Sequence, residues 1–159
     1  MLGKGAFGQV YLVENEIDGK QYAMKALDKA AIMQQNILRY AMTERKILST
    51  INHPFVVKLH YAFQSETKLY LVMDYCPGGD MLKMIKTKGT LHEEDVRKYT
   101  AEIVLAIDAL HKAEIIYRDL KPGNVIFDQN GHACLTDFGL SKEASVSHSF
   151  CGSTAYLAP

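Results

Sequence analysis

Four side chains within residues 119–137 have the properties that phosphoryl transfer requires. Asp119 is a carboxylate that can accept a proton, and Lys121 is a cation that can neutralise phosphate oxygens. Asn124 and Asp137 offer oxygen atoms to a hard cation such as Mg²⁺, which keeps several of its waters and needs few protein ligands. Because phosphoryl transfer depends mainly on positioning and charge neutralisation, these residue types at this spacing indicate that chemistry.

The elements around these residues narrow the interpretation. Taken alone, Arg118-Asp119-Leu120 is a common tripeptide, and Asp137-Phe138-Gly139 could be an ordinary turn. Between them the sequence predicts a strand from Val125 to Asp128, a turn over residues 129–131 and a second strand from His132 to Thr136. A polar loop, a hairpin and then Asp-Phe-Gly resembles the catalytic segment of protein kinases.

A glycine-rich motif, Gly-x-Gly-x-x-Gly-x-Val, occupies Gly3 to Val10. Such a motif serves phosphate-binding loops of kinases and dinucleotide-binding loops of Rossmann folds, and it also occurs in plain glycine-rich hairpins. Residues 9–14 alternate as a strand, whereas a Rossmann loop would open a helix. The dinucleotide-binding hypothesis therefore lacks its βαβ context, and the choice between the other two depends on the elements after this strand.

The next elements add a candidate ion pair. Asp18-Gly19 predicts a hairpin turn, and Gln21 to Leu27 predicts a strand that contains Lys25 within Tyr-Ala-Met-Lys. Residues 36–51 have helical periodicity and carry Glu44, the acidic candidate to pair with Lys25. A solvated lysine and an exposed helical glutamate are the alternatives.

The remaining pattern predicts an α+β fold of two lobes. Strands at Val56–Phe63 and Lys68–Asp74 complete an antiparallel sheet, and the Pro- and Gly-containing run 75–79 is a natural hinge. Beyond it we predict a short helix at Asp80–Lys86 and a longer helix at Glu93–Lys112. Seven residues form the predicted apolar face of the longer helix: Val96, Tyr99, Ile103, Leu105, Ala106, Ala109 and Leu110. We divide the chain into an N-lobe, residues 1–74, and a hinge with a partial C-lobe, residues 75–159.

Composition excludes several other classes. The chain has 159 residues, 48% hydrophobic content and a formal net charge of zero, so it is globular and gives no indication of binding nucleic acid or a membrane surface. Three widely spaced cysteines match no zinc or redox spacing and favour a reducing, cytoplasmic or nuclear setting. The first residues lack the apolar core of a signal peptide, and no apolar run reaches membrane-spanning length.

With these residues in hand, the chain resembles the AGC group of serine/threonine protein kinases, the kin of cyclic-nucleotide-dependent kinases, protein kinase C, Akt and the ribosomal S6 kinases. Four features carry the resemblance: Tyr117 before Arg118-Asp119, the run Asn52-His53-Pro54-Phe55, the pair Gly78-Gly79, and Phe150-Cys151-Gly152. The resemblance covers essentially the whole chain. It implies a protein kinase-like fold with an antiparallel N-lobe sheet, an αC helix and the first part of a mainly helical C-lobe.

The resemblance implies a role for each matching residue, with ATP and Mg²⁺ as cofactors. Gly3, Gly5 and Gly8 would cover the phosphates, Lys25 would hold the α- and β-phosphates while paired with Glu44, and Lys121 would meet the γ-phosphate. Asp119 would accept the substrate proton, and Asn124 and Asp137 would bind Mg²⁺. The implied adenine and ribose residues are Leu2, Val10, Ala23, Met73 (the gatekeeper), Asp74, Cys76, Asp80 and Ile126. Leu48, Leu59, Tyr117 and Phe138 occupy the positions of the family's regulatory spine.

The resemblance also implies partners: protein substrates with Ser or Thr and basic upstream residues, and an upstream kinase that phosphorylates Ser149, although Ser141, Ser145 and Ser147 lie nearby. Gly123 stands where the group usually has Glu, and residues 153–155 replace the usual Thr-Pro-Glu. Family domains run to roughly 250 residues, so we predict that this chain is a fragment, poorly soluble and inactive alone. The alternative function is a pseudokinase, a nucleotide-binding or scaffolding module without useful catalysis.

Overall fold

The computed structural model of the protein describes residues 1–5, 8–34, 38–143 and 153–156. Its first part is an antiparallel sheet of five strands in the order β1-β2-β3-β5-β4. The strands are β1 (Gly3–Gly5), β2 (Gly8–Glu14), β3 (Gln21–Asp28), β4 (Leu59–Gln64) and β5 (Lys68–Asp74). Each central strand thus has a neighbour on both sides, which fixes the positions of the side chains on the two faces of the sheet.

The turn between β2 and β3 is the one that Asp18-Gly19 predicted. Gly19 has a φ of 66°, and the turn closes with a 2.9 Å hydrogen bond from the Asn15 N–H to the Lys20 carbonyl. Because glycine adopts a left-handed backbone conformation at little energetic cost, this turn sets the β2–β3 register without strain. In that register Val10 lies opposite Lys25.

Two helices lie between β3 and β4 in the chain, and one of them was not predicted. The unpredicted helix, α1 (Lys29–Gln34), begins where the Asp28 carboxylate accepts hydrogen bonds from the N–H groups of Ala30 and Ala31 at 3.0 and 3.1 Å. An Asp before the first turn is a normal N-cap, but six residues are too few to show a periodic pattern. The helix predicted over residues 36–51 is observed as α2, which spans Leu38–Thr50.

The strand predicted from Val56 to Phe63 is wrong at its start, because β4 begins only at Leu59. Val56 instead forms a parallel bridge with Leu135, and the Val57 N–H donates to the Leu135 carbonyl at 3.0 Å. Val56 and Val57 are both buried. These apolar residues therefore join the sheet to the second part of the chain rather than extending β4.

The second part is mainly helical. It contains α3 (Met81–Lys88), α4 (Glu93–Lys112) and four short strands, β6 (Ile115–Ile116), β7 (Val125–Phe127), β8 (Ala133–Leu135) and β9 (Lys142–Glu143). The strands form two antiparallel pairs, β6 with β9 and β7 with β8. One apolar cluster runs from α2 through α4 to the β7–β8 hairpin and includes the fully buried Leu110, Leu135 and Phe138. The two parts of the chain thus share a core.

The apolar face predicted for α4 is partly wrong. Ala106 and Leu110 are buried as predicted, but Val96 and Leu105 are exposed. Glu102 is buried in their place, because both carboxylate oxygens have partners: a His132 ring nitrogen at 2.7 Å and the Ala133 N–H at 2.8 Å. A buried carboxylate is tolerated when its lone pairs are satisfied, so Glu102 holds the β7–β8 hairpin against α4.

Among the described helices, none combines the length and the apolar content needed to cross a bilayer.

Candidate active site

A lysine on β3 and a glutamate on α2 form a partly buried ion pair. Lys25 Nζ lies 2.8 Å from each carboxylate oxygen of Glu44, and it also lies 3.3 Å from Asp137 Oδ1. Glu44 is 3% exposed, whereas the side chain of Asp137 is 55% exposed. One ammonium group therefore links the sheet, α2 and the segment after β8.

The protonation state of Lys25 follows from these contacts. Burial alone would lower the pKa of Lys25, but the charges and hydrogen bonds of Glu44 and Asp137 outweigh burial and raise the pKa above its ordinary value. The side chain is thus a cation at neutral pH. Its partly exposed carboxylate neighbour, Asp137, leaves the ion pair open toward solvent on one side.

One face of the sheet carries the residues that the resemblance assigns to adenine. Directly opposed residues in antiparallel strands share a face, and the register places Val10 opposite Lys25 and Ala23 opposite Met73. Ala23 and Lys25 are two positions apart on β3, so all four side chains lie on that face. Gly3 pairs with Val10, and Gly5 with Gly8, so the glycine-rich segment forms a hairpin at the edge of the same face.

Leu2 and Gly8 show how this hairpin is held. The Leu2 N–H donates to the Val10 carbonyl at 2.8 Å, and the Leu2 side chain is exposed. At Gly8 a built Cβ atom would lie 2.0 Å from the Ala26 carbonyl oxygen, so only glycine fits against β3. The close approach fixes the path of the hairpin, because any side chain at this position would push β2 away from β3.

Asp119 lies at the centre of a hydrogen-bond network and is buried. Its Oδ2 accepts from Lys121 Nζ at 2.7 Å and from Asn124 Nδ2 at 2.8 Å, and its Oδ1 accepts from Ser153 Oγ at 2.8 Å. Burial would raise the pKa of Asp119, but these three hydrogen bonds and the Lys121 charge hold the pKa below its usual value. The carboxylate is therefore ionised and oriented at neutral pH.

The loop that presents Asp119 has an unusual backbone that side chains stabilise. Arg118 has a φ of 65° and Asp137 a φ of 61°, both in the left-handed region that non-glycine residues rarely adopt. Arg118 Nε donates to the Leu140 carbonyl at 2.7 Å, and the buried Ser141 hydroxyl donates to the Tyr117 carbonyl at 3.0 Å. These bonds join the Asp119 loop to the segment after Asp137 and keep both residues in place.

Asn124 and Asp137 have the donor chemistry that Mg²⁺ requires. The Asn124 amide nitrogen donates to the carbonyl and carboxylate of Asp119, which directs the amide oxygen away from that carboxylate. Asp137 contributes a largely exposed carboxylate. In the described part of the chain, no group of three His, Cys, Asp or Glu residues could hold a metal. Two oxygen ligands nevertheless suit a cation that keeps several waters.

The hinge and its neighbours bring the remaining predicted residues together. Asp80 caps α3 by accepting from the Lys83 N–H at 2.7 Å, and its backbone forms a bridge with Ile126 on β7. Asp74 ends β5, and Oδ1 of its carboxylate lies 2.7 Å from a ring nitrogen of His60. Cys76 is partly buried against the core.

The four spine residues all belong to the same apolar cluster. Leu48, Tyr117 and Phe138 are almost fully buried, and Leu59 packs against the cluster that contains them. The rings of Tyr117 and Phe138 meet edge to face with centroids 5.2 Å apart. The Tyr117 hydroxyl donates to the Thr136 carbonyl, which adds a polar tie between the Asp119 loop and the segment leading to Asp137.

Two residues near the site were missed by the sequence analysis. Ser153 donates to Asp119 and also accepts from Lys121 Nζ at 2.9 Å. The only sequence signal for Ser153 was that residues 153–155 differ from the Thr-Pro-Glu usual in the AGC group. Glu102 was assigned no role, although a charged residue inside an apolar helical stripe was an available signal. Ser149, predicted as a phosphosite, lies outside the described residues.

In a comparison with known proteins, one family model matches this chain. The family described as "Protein kinase domain" matches residues 1–159, the whole chain. The chain is 51% identical over 166 aligned residues to Ribosomal protein S6 kinase alpha-1 of Homo sapiens and 47% identical over 162 to Protein kinase 2 of Dictyostelium discoideum. Both alignments cover 100% of this chain but only 22% and 34% of those relatives.

Proposed function

We propose, since this chain belongs to the protein kinase domain family, that it forms part of the catalytic core of an ATP- and Mg²⁺-dependent protein serine/threonine kinase. The observation that supports this most is the Asp119 network, in which a buried, ionised carboxylate lies between a lysine, an amide and a hydroxyl. Such a group can accept the proton of a substrate hydroxyl as it attacks phosphorus. The relatives' names, Ribosomal protein S6 kinase, favour a protein as the acceptor.

Each of the other groups then has a defined task. Lys25, fixed by Glu44, binds the α- and β-phosphates, and Lys121 neutralises the γ-phosphate. The sheet face that carries Val10, Ala23 and Met73 receives the adenine ring, an apolar surface for an aromatic base. Mg²⁺, held by Asn124 and Asp137, would supply charge neutralisation to the phosphate oxygens.

The pseudokinase alternative predicts nucleotide binding without turnover. It would gain support from a missing or displaced catalytic group, yet Lys25, Asp119 and Asp137 are all present and Lys25 is paired with Glu44. No described residue favours the alternative over the kinase.

The test is phosphoryl transfer from ATP to Ser and Thr peptides by the full-length protein. Lys25→Met and Asp119→Asn should each lower kcat/KM by about 10²-fold or more, because positioning and charge stabilisation carry this reaction. The exposed Lys112, which pairs with Asp108 on the same helix, provides the matched control Lys112→Met, which should leave kcat/KM unchanged. Near-normal turnover by Asp119→Asn would overturn the proposal.

Substrate selection is the second part of the proposal. A kinase that reads basic upstream residues needs carboxylates near the acceptor, and Gly123 supplies none where the relatives' group has Glu. A charge-assisted contact to Arg is worth about 1.5–3 kcal/mol, or roughly ten- to a hundredfold in discrimination. We therefore expect a weakened preference for basic residues, with Asp80 as the remaining carboxylate.

Gly123→Glu tests this expectation, and the site has room for the change. Among the described residues, a Cβ atom at Gly123 would have only Leu82 within 4 Å, at 3.9 Å. On a peptide array, the variant of the full-length protein should select upstream Arg at least tenfold more strongly, with Gly123→Gln as the uncharged control. An unchanged profile would show that position 123 does not contact the substrate.

We propose that Ser149 is an activating phosphosite and that Arg118 is its partner. Arg118 lies beside Asp119 and donates from Nε to the Leu140 carbonyl, and a charge-assisted pair between its guanidinium and a phosphate at Ser149 would order the segment that carries Ser149. Ser149→Ala in the full-length protein should then lower activity after treatment with an activating kinase, whereas Ser147→Ala should not. Equal activity of Ser149→Ala and the unmutated protein would exclude this site.

A further inference from the structure

Gly123 leaves an open surface beside the loop that carries Asp119. It is the middle residue of a short 3₁₀ helix, Pro122–Asn124. Its backbone does not require glycine, because its φ lies outside the left-handed region. Space does not require glycine either, since a Cβ atom there would have its nearest described neighbour, Leu82, at an ordinary contact distance of 3.9 Å. Gly123 thus differs from Gly8, where a Cβ atom would overlap the backbone of β3.

Leu82 is the apolar side chain that borders this open surface. It is the second residue of α3 and is 36% exposed, and its Cδ2 methyl group is the atom that a Cβ at position 123 would contact. Its neighbour Met81 packs against the apolar core, as does Met84 one turn later. Because α3 packs on the 3₁₀ helix at residues 122–124, the two elements hold Leu82 beside Gly123. Leu82 therefore presents apolar surface next to the candidate active site.

This surface lies within reach of a polypeptide bound at Asp119. Gly123 is followed by Asn124, whose amide nitrogen is 2.8 Å from Asp119 Oδ2. The Gly123 Cα atom therefore lies within about 10 Å of that carboxylate oxygen, given standard bond lengths. An extended peptide advances about 3.3 Å per residue. A substrate residue that contacts position 123 is thus about three positions or fewer from the hydroxyl-bearing acceptor.

The charged groups of α3 do not suit a basic side chain at this surface. Asp80, the one carboxylate in residues 80–88, caps the helix, and its Oδ1 accepts from the Lys83 N–H at 2.7 Å, which leaves only its other oxygen for a ligand. The exposed Lys86 follows Leu82 by four residues and so lies on the same helical face. An arginine over Gly123 would meet a methyl group and a like charge. An apolar side chain would instead be removed from water against Leu82.

We propose, on the basis of the kinase function proposed above, that Leu82 and Gly123 form a substrate subsite that selects an apolar side chain within three residues of the acceptor. The occupant is a Leu, Met or Phe side chain of the substrate polypeptide. It fills the space that a larger residue at position 123 would occupy, and it packs against the Leu82 methyl group. Each methylene removed from water adds about fourfold in selection, so Leu should be preferred over Ala by about four- to tenfold.

The test is a positional scanning peptide library phosphorylated by the full-length protein. We expect one position, within three residues of the acceptor, at which Leu, Met and Phe exceed both Ala and Arg about fourfold or more. Leu82→Ala should remove this preference, and Leu82→Glu should replace it by a preference for Arg. Peptides with Ala at that position should be phosphorylated equally by Leu82→Ala and the unmutated protein. A general structural defect would instead lower the phosphorylation of every peptide.

A second variant tests the subsite from the other element. Gly123→Leu should fill the space and lower the apolar preference at the same position. Val96→Glu, which changes an exposed apolar residue of α4, is the matched control for Leu82→Glu and should leave the profile unchanged. Selection of Arg, Asp or Glu in place of apolar residues, or an unchanged profile in Leu82→Ala, would overturn the subsite. Phosphorylation of no peptide by the unmutated protein would instead refute the kinase function itself, and the subsite with it.

Discussion

Ser153 connects the two charged groups of the Asp119 network. Its hydroxyl donates to Asp119 Oδ1 at 2.8 Å and accepts from Lys121 Nζ at 2.9 Å, so one side chain orients both the carboxylate and the ammonium group. The backbone of Ser153 comes from a segment separate from the loop that carries Asp119. Its position therefore reports whether that later segment is in place.

Ser153→Ala should raise the pKa of Asp119, because it removes one of the three hydrogen bonds that hold the pKa low. A carboxyl whose pKa is lowered on folding stabilises the folded protein at any pH above its pKa in the unfolded chain, near 3.9. That stabilisation is lost as the pH falls through the pKa of the folded protein. In the full-length protein, the acidic limb of the kcat/KM profile should therefore move to higher pH.

Ser153→Thr, which retains the hydroxyl, is the matched control and should restore the profile of the unmutated protein. If Ser153→Ala and the unmutated protein share the same acidic limb, Ser153 does not act on the Asp119 carboxylate.

At the scale of elements, the hinge depends on a close contact with β7. A Cβ atom at Gly78 would lie 2.5 Å from Phe127 Cβ and 3.0 Å from the Phe127 carbonyl oxygen, so the backbone of β7 must move to admit it. The same approach permits the two hydrogen bonds between the hinge and Phe127. Gly78 is not in the left-handed region, so its backbone conformation does not require glycine. The short distance to Phe127 does.

Gly78→Ala should lower the free energy of unfolding by about 1–3 kcal/mol, the range for overpacking at a rigid contact. Thermal unfolding of the chain measures the change. Gly123→Ala is the control, because its nearest neighbour, Leu82, would be at an ordinary contact distance, and its Tm should stay close to that of the unmutated chain. A Gly78→Ala Tm equal to that of the control would show that β7 accommodates the methyl group.

The long elements were predicted well because their signals are local. Both α4 and β5 have the bounds that periodicity predicted, and the β2–β3 turn follows from Asp18-Gly19. Two features could not be found this way: the short capped helix α1 and the crossing of Val56 and Val57 to β8. Each depends on a tertiary partner or on too few residues to form a pattern.

The candidate site shows the same division. Lys25, Glu44, Asp119, Asn124 and Asp137 were named from the sequence because their motifs have characteristic spacing. Ser153 was not, since its partners Asp119 and Lys121 lie 34 and 32 residues before it in the sequence. Spacing thus identifies residues that share a loop, and only the fold identifies residues that come together from separate ones.

At the scale of the whole molecule, α4 presents an apolar patch to solvent. Val104 and Leu105 are 59% and 51% exposed, and the exposed Ala101 lies one turn before them. Exposed apolar residues that adjoin one another favour association, whereas isolated ones are common on soluble proteins. This patch is the structural basis for the expected poor solubility of the 159-residue chain.

The double variant Val104→Lys/Leu105→Glu should increase the monomeric fraction in size-exclusion chromatography several-fold and change the free energy of unfolding by no more than about 0.5 kcal/mol. Ile17→Lys is the control, because Ile17 is 95% exposed in a turn remote in sequence from α4 and should change neither quantity. Equal aggregation of the double variant and the unmutated chain would locate the cause elsewhere.

The ion pair at Lys25 has a consequence for synthesis on the ribosome. Glu44 follows Lys25 by 19 residues, but Asp137 follows it by 112. At about 5–20 residues per second, the first partner emerges within about 1–4 s and the second only after about 6–22 s. The growing chain can therefore pair its β3 lysine with α2 while Asp137 has not yet been translated, so the sheet can settle before the catalytic segment arrives to dock against it.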